Sequence, residues 1–171
     1  MGHTKDVLEA IYERRSVREY TNQSVEDEVI KEIIRAGSWA PSGHNNQPWR
    51  FAVIRDPKMK SQIARQTIYG KIIDNAPVII AVFADKSAMY DEVKDHMAIG
   101  ACIQNMLLAV HALNLGAVWL GEILKNREKV RNILSLPQDL ELMAVVVIGH
   151  PMRRDQRSTR MDINELIVKE T

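Results

Sequence analysis

Three arginines and a serine stand within five residues in Arg14-Arg15-Ser16-Val17-Arg18, and a second basic group, Arg153-Arg154 then Arg157-Ser158-Thr159-Arg160, lies far away along the chain. A guanidinium presents a planar fork of donors that matches a phosphate monoester, with its three acceptor oxygens and nearly two negative charges. Each hydrogen bond to a charged group contributes about 1.5–3 kcal/mol net. Two or three such bonds approach the roughly 8 kcal/mol of micromolar binding. Taken alone, the cluster also fits arginines that cap helix ends and solvate a surface.

A polar loop supplies the context. Pro41-Ser42-Gly43-His44-Asn45-Asn46-Gln47-Pro48 is bracketed by prolines and leads into an apolar run. Ser42, Asn45, Asn46 and Gln47 offer donors and acceptors, and Gly43 lets the backbone come close to a ligand. The pyrimidine edge of a flavin alternates acceptors and a donor and suits that mixture. The same residue types also make an ordinary helix-to-strand turn, for which eight residues is somewhat long. Together the two stretches describe a site for a phosphorylated, planar, heteroatom-rich cofactor, and flavin mononucleotide (FMN) answers that description.

The elements that must position these residues follow from periodicity. Val7, Leu8, Ile11 and Tyr12 form a helical stripe that delivers the arginines to a helix end. Ser24, with Asp27 three residues on, predicts the start of a second helix that buries Val29, Ile30, Ile33 and Ile34 and stops near Gly37. Trp49–Ile54 reads as a strand. Asp56-Pro57 marks a helix start, with Asp as cap and Pro at the first position, and that helix runs to about Tyr69. Pro77–Phe83 is a continuous apolar run, a strand covered on both faces. The longest helical pattern spans Ser87 to Leu115 and is apolar almost all round from Ala98, so it should lie in the middle of something. Burying every face of one helix is difficult in a small subunit, so this helix is expected at a homodimer interface. Gly116 is expected to cap it, with Ala117–Leu120 a short strand. A helix capped by Asn126, a strand over Leu142–Ile148 and a last short helix opened by Asp162 complete the chain. Strict βαβα alternation is missing, which points to an α+β fold with a small central sheet flanked by helices.

At 171 residues the chain is expected to be a single domain over 1–171. A net charge of +1 gives no global field for nucleic acid or an anionic membrane. No 20-residue apolar stretch stands out. Met1-Gly2 lacks the Ser or Thr that acylation wants, since Asp6 holds that position. The single cysteine, Cys102, rules out an internal disulfide and suits a reducing cytoplasm. It falls in the apolar helix and is expected as a packing residue. His3, His44, His96, His111 and His150 show no metal-ligand spacing. There is no G-x-G-x-x-G segment and so no case for a Rossmann unit. Trp49 and Trp119, in or beside strands, are expected in the core.

The order R-R-S-x-R, a helix, A-P-S-G-x-N-x-Q-P-W, a strand and the later G-A-V-W-L-G resembles the nitroreductase family of FMN-dependent oxidoreductases, from Tyr12 to about Ile167. The resemblance implies an α+β homodimer with two FMN sites in the subunit interface and NADH or NADPH as co-substrate. It implies that Arg14, Arg15, Ser16 and Arg18 hold FMN, with Arg14 toward the phosphate and Arg18 toward the N1 and O2 edge of the flavin. Pro41, Ser42, Gly43 and Asn45 would reach across from the second subunit. Leu120 and Gly121 would run alongside flavin N5, and Arg157 and Arg160 would complete the phosphate site. Lys71 is the one candidate for a further polar contact to the ring. The segment Asp85–His96 is short where relatives with defined substrates carry a lid insertion, so the resemblance speaks to the cofactor more than to the substrate.

The resemblance implies an oxidoreductase that passes a hydride through flavin N5 to a small electron-poor acceptor, such as a nitroaromatic or quinone, in a ping-pong cycle with no side-chain nucleophile. A flavin-binding protein without nicotinamide-dependent turnover is the alternative. A nucleic-acid partner is disfavoured by the near-zero net charge.

Overall fold

The computed structural model describes residues 6–171; Met1-Gly2 and His3, considered above, lie outside the described residues. Four strands, β1 (Trp49–Ile54), β2 (Val78–Asp85), β3 (Gly116–Leu120) and β4 (Leu140–Gly149), form one sheet in the order β1-β2-β4-β3, every neighbour antiparallel. β2 is buried along its whole length, as its unbroken apolar run predicts. Its side chains alternate between two cores. Val78, Ile80, Val82 and Ala84 meet α2 (Asp27–Ser38) and α5 (Glu92–Ala112) on one face. Ile79, Ala81 and Phe83 meet α3 (Pro57–Ala64), α4 (Gly70–Asp74) and α6 (Arg127–Ile133) on the other. The fold is therefore α+β, with the sheet as the middle layer. Each fully buried Val, Ile or Phe among them contributes about 1.5–3 kcal/mol against leaving it in water.

Helix α5 has 21 residues, so it spans about 30 Å. α2 crosses it closely: a Cβ on Gly37 would lie 2.6 Å from Met106 Cγ, and Asn105 Nδ2 donates to Ala36 O at 3.3 Å. Gly37 is thus a packing glycine in the last turn of α2, which stops at Ser38, near Gly37 as expected. Cys102 is buried in this crossing, and burial pushes its thiol up to about 12.

Several boundaries differ from expectation for local reasons. α2 begins at Asp27, not after Ser24, because Val25 is drawn into the core and keeps the chain extended to Glu26. α3, capped by Asp56 as expected (its carboxylate accepts from Met59 N at 2.8 Å), stops at Ala64 instead of Tyr69. There the Thr67 hydroxyl donates to Glu122 at 2.6 Å and pulls the chain toward the turn after β3. α5 begins at Glu92 because Ser87 folds back on Asp85, its N–H and hydroxyl donating to Oδ1 at 3.1 and 2.6 Å. After α5 the left-handed residue is Asn114 (φ 58°), whereas Gly116 sits in β3 against Val17. Trp49 is buried as expected, but Trp119 is 41% exposed. On the edge strand β3, the alternation sends Val118 and Leu120 inward and Trp119 to the opposite face.

The apolar stripe of α1 (Val7–Glu13) is mostly exposed in the single chain. So are Ile163, Leu166 and Ile167 of the short α7 (Ile163–Leu166) and the residue after it. Among the described residues, no helix is long and apolar enough to cross a membrane.

Candidate functional site

The first basic cluster begins where α1 ends. The backbone N–H of Arg14 closes the helix on Ala10 O at 3.0 Å. The chain then runs beside β3: Ser16 bridges Ala117, and Val17 N–H donates to Ala117 O at 2.9 Å. Three ties next fasten the distant C-terminal segment to this stretch. Thr21 N–H donates to His150 O at 2.8 Å, Met152 N–H donates to Glu19 O at 3.0 Å, and Tyr20 bridges Pro151. The Tyr20 hydroxyl itself donates to Val17 O at 2.5 Å, holding the corner.

The result is a cavity of about 500 Å³ lined by Arg14, Arg15, Ser16, Arg18, Gln156, Arg157, Ser158 and Arg160. Both ends of the chain contribute arginines to it, and its lining contains no acidic residue. Among the described residues none of its five guanidiniums is ion-paired. Arg15 is oriented by donating to Tyr12 O and Arg14 O at 2.7 and 2.8 Å. The Nε atoms of Arg14 and Arg15 are buried with no hydrogen-bond partner. Burial, then the positive charges of Arg160 and Arg15, push Arg14 below the ordinary arginine value. An anion with several acceptor oxygens would satisfy these donors and relieve that repulsion, so a phosphate monoester fits. Arg14, Arg15 and Gln156 also border a second cavity of about 340 Å³, whose apolar floor is Val17, Leu107, Val110, Leu115 and Ala117.

The polar loop lies elsewhere. Pro41 is exposed, Ser42 and Gly43 are half-buried, and a short 3-10 turn covers Gly43–Asn45. His44, Asn45 and Gln47 adopt left-handed backbone, φ 54°, 56° and 48°. Non-glycine residues held there cost of order 1–3 kcal/mol each and persist only where the surroundings enforce them. The enforcement is visible: Gln47 N–H donates to Ser42 Oγ at 3.1 Å, and Asn46 Nδ2 donates to Ala88 O at 3.0 Å and Asp95 Oδ1 at 2.7 Å. His44 stands edge-on to the Tyr90 ring at 4.9 Å. Tyr90 also covers Gly43, where any Cβ would collide with its ring and hydroxyl.

Asp95 belongs to the start of α5, whereas Leu107, Val110 and His111 by the arginines belong to its end. Twelve to sixteen residues of α5, about 18–24 Å along its axis, separate the two halves of the expected site within one chain. Leu120 is buried at the end of β3, and Gly121 follows it, exposed, with open space around its Cβ position. Both lie three or four residues along from Ala117, so about 10 Å or more from the Ser16 bridge. Lys71 is exposed on α4. Glu122, next to Gly121, accepts from Thr67 and from Ile68 N–H, and bonds to Lys125 and Thr67 hold its carboxyl below the usual range.

Sequence reasoning missed Gln156 in the cavity lining and Asp95, Asn46 and Glu122 as anchors. Asn46 stood inside the loop motif, but nothing in the spacing distinguished Asp95 from an ordinary first-turn acid.

Comparison with known proteins is consistent with this geometry. The sequence model of the nitroreductase family matches residues 11–66 and 58–150. An Archaeoglobus fulgidus protein described provisionally as an NADH dehydrogenase/NAD(P)H nitroreductase is 35% identical over 150 residues, which cover 86% of either chain. The FMN reductase (NAD(P)H) of Bacillus subtilis is 28% identical, over 91% of this chain and 70% of its own. A Desulfovibrio desulfuricans protein described provisionally as a nitroreductase, crystallised in complex with FMN, has a TM-score of 0.93 and 50% identity, covering 98% of both chains.

Proposed function

The chain belongs to the nitroreductase family, and on that premise we propose that it carries electrons from NADH or NADPH to a small electron-poor acceptor, a nitroaromatic, quinone or similar compound, in a ping-pong cycle. It is an FMN-dependent NAD(P)H oxidoreductase. FMN, when bound, supplies the chemistry, exchanging a hydride at its N5 atom. The side chains of this protein bind, orient and polarise.

Arg14, Arg157 and Arg160, with the Ser16 hydroxyl, hold the phosphate, and Arg15 packs the wall behind them. The observation that carries this reading is the convergence of arginines from both ends of the chain on one cavity without an acidic residue in its lining. Arg18, on the same cavity, would hold the flavin ring by its pyrimidine edge and supply positive charge to offset the negative charge of the reduced cofactor. Leu120 and Gly121 would offer backbone N–H groups to the ring, and the open space around Gly121 is compatible with that role.

The other half of the site comes from a second copy. Pro41, Ser42, Gly43 and Asn45 sit several turns of α5 away from the arginines of their own chain, and a two-fold partner with antiparallel α5 would bring its loop to them. The exposed apolar residues of α1 and α7 support such a homodimer. The half-buried Ala101, Leu108 and Ala109 of α5 support it too. Residues 1–171 are one domain in this reading, since a single sheet is shared by both cores of the described residues. The buried thiol of Cys102 is at home in a reducing cytoplasm.

The test is an absorbance spectrum of the purified protein followed by anaerobic titration with each nicotinamide. Flavin bands that bleach with NADH or NADPH and return with a quinone support the proposal. A protein that stays colourless after incubation with FMN refutes it, and a yellow protein that neither nicotinamide bleaches leaves a flavin binder without turnover.

A further inference from the structure

We propose that Asp95 is a positioning residue whose buried carboxylate fastens the loop of residues 41–48 to the start of α5, fixing the face that the loop presents to the cofactor of the partner subunit. This inference rests on the flavin reading above, but its geometry lies within one chain.

Asp95 is fully buried, one turn into α5. Oδ1 accepts from Asn46 Nδ2 at 2.7 Å, and Oδ2 accepts from the backbone N–H groups of Tyr90 and Asp91 at 2.8 and 3.0 Å. Burial alone would raise such a carboxyl, yet bonds from Asp91, Asn46 and Tyr90 outweigh it and hold the group below the usual range. An ionised carboxylate is expensive to bury without this full set of donors. Asp95 does not serve as the helix cap, because Asp91 does, accepting from Lys94 N–H at 2.9 Å.

What Asp95 joins is the strained part of the loop. Asn46 lies between Asn45 and Gln47, both left-handed, and its amide is clamped by Asp95 on one side and Ala88 O on the other. Fixing Asn46 therefore fixes Asn45, which the family motif directs at the cofactor. The second oxygen of Asp95 holds the backbone of Tyr90, whose ring closes over Gly43 and meets His44 edge-on. One carboxylate thus sets both the loop and the aromatic side chain packed against it.

The experiment compares wild type, Asp95→Asn and Asp95→Ala by amide hydrogen exchange of residues 43–47 in the FMN-free protein and by FMN affinity from fluorescence quenching, well below each melting temperature. Asp95→Ala should release the loop amides to faster exchange while the exchange of β2 and β4 stays put, and should weaken FMN about 10- to 100-fold. Asp95→Asn should fall between, since its amide oxygen still accepts from Tyr90 and Asp91 while its NH2 meets the Asn46 amide. If Asp95→Ala fails to fold, Asn46→Ala alone and combined with Asp95→Asn decides: equal FMN affinity in the two supports the tie, and multiplied losses overturn it. Loop exchange that rises only in step with the whole molecule, or wild-type FMN affinity in Asp95→Ala, also overturns it. A wild type that takes up no FMN would refute the proposed function, and loop exchange would still decide the tie.

Discussion

The arginine cavity and the proline-bracketed loop stand at opposite ends of α5 and are built from different materials. At one end, five guanidiniums surround about 500 Å³ with no acidic lining, and two of their Nε atoms are buried without partners. At the other, three left-handed residues are held by side-chain hydrogen bonds and a buried carboxylate, with Asn46 Oδ1 left buried without a partner. The first end is a stock of unbalanced charge that a ligand neutralises. The second is a shape maintained at internal cost. Affinity should therefore reside mainly with the arginines, and orientation with the loop.

The largest expected effect breaks the charged end. Arg14→Ala and Arg160→Ala should each weaken FMN by about 10- to 150-fold, the worth of a charge-assisted bond. Because the two charges also repel each other in the free protein, the double variant should lose less than the product of the single losses. Equilibrium dialysis measures all three, and strictly multiplied losses would mean that the two residues do not share one anion.

The next effect belongs to the loop end and depends on pH. Asp95 has its folded pKa depressed, so the stability it confers is present above its unfolded value of about 3.9 and is lost as pH falls through the folded value. The gap in urea unfolding free energy between wild type and Asp95→Asn should be full at neutral pH and should close in strong acid below about pH 4. An unchanged gap at pH 2 would show that the ionised carboxylate is not what holds the loop.

Arg18→Ala should retain most of the FMN while making it harder to reduce. Removing about 1.4 kcal/mol of charge stabilisation lowers a two-electron potential by about 30 mV, which a dye-equilibrated titration detects; an unchanged potential places Arg18 away from the ring. The smallest effect is that of Ser42→Ala, which takes the acceptor from Gln47 N–H. It should cost about 0.5–1.5 kcal/mol in thermal unfolding. An FMN affinity that falls no further than stability would mean that Ser42 shapes the loop without touching the ligand.

Much of this was legible in the sequence because charge and period survive translation into one dimension. The unbroken run Val78–Phe83 could only be a strand covered twice, and it is. The resemblance to the nitroreductase family paired the arginine groups across more than a hundred residues, and they do share one cavity. What stayed hidden was set by contacts between distant segments. The end of α3 at Ala64 depends on Glu122 reaching Thr67, and the late start of α2 depends on where Val25 packs. Asp95 looked like one more acid at a helix start until the loop folded onto it. The arginines that converge on one cavity stood out as a pattern of charge, while Asp95 and Glu122, which anchor neighbouring segments, did not.

The central claim is that arginines from the two ends of the chain grip one phosphate. It is tested most directly by measuring the affinities of FMN and riboflavin, which differ by that phosphate alone, in wild type and in Arg14→Ala/Arg160→Ala. Wild type should prefer FMN by about 100-fold or more, and the double variant should bind the two almost equally. A double variant that keeps the full preference for FMN would contradict the account.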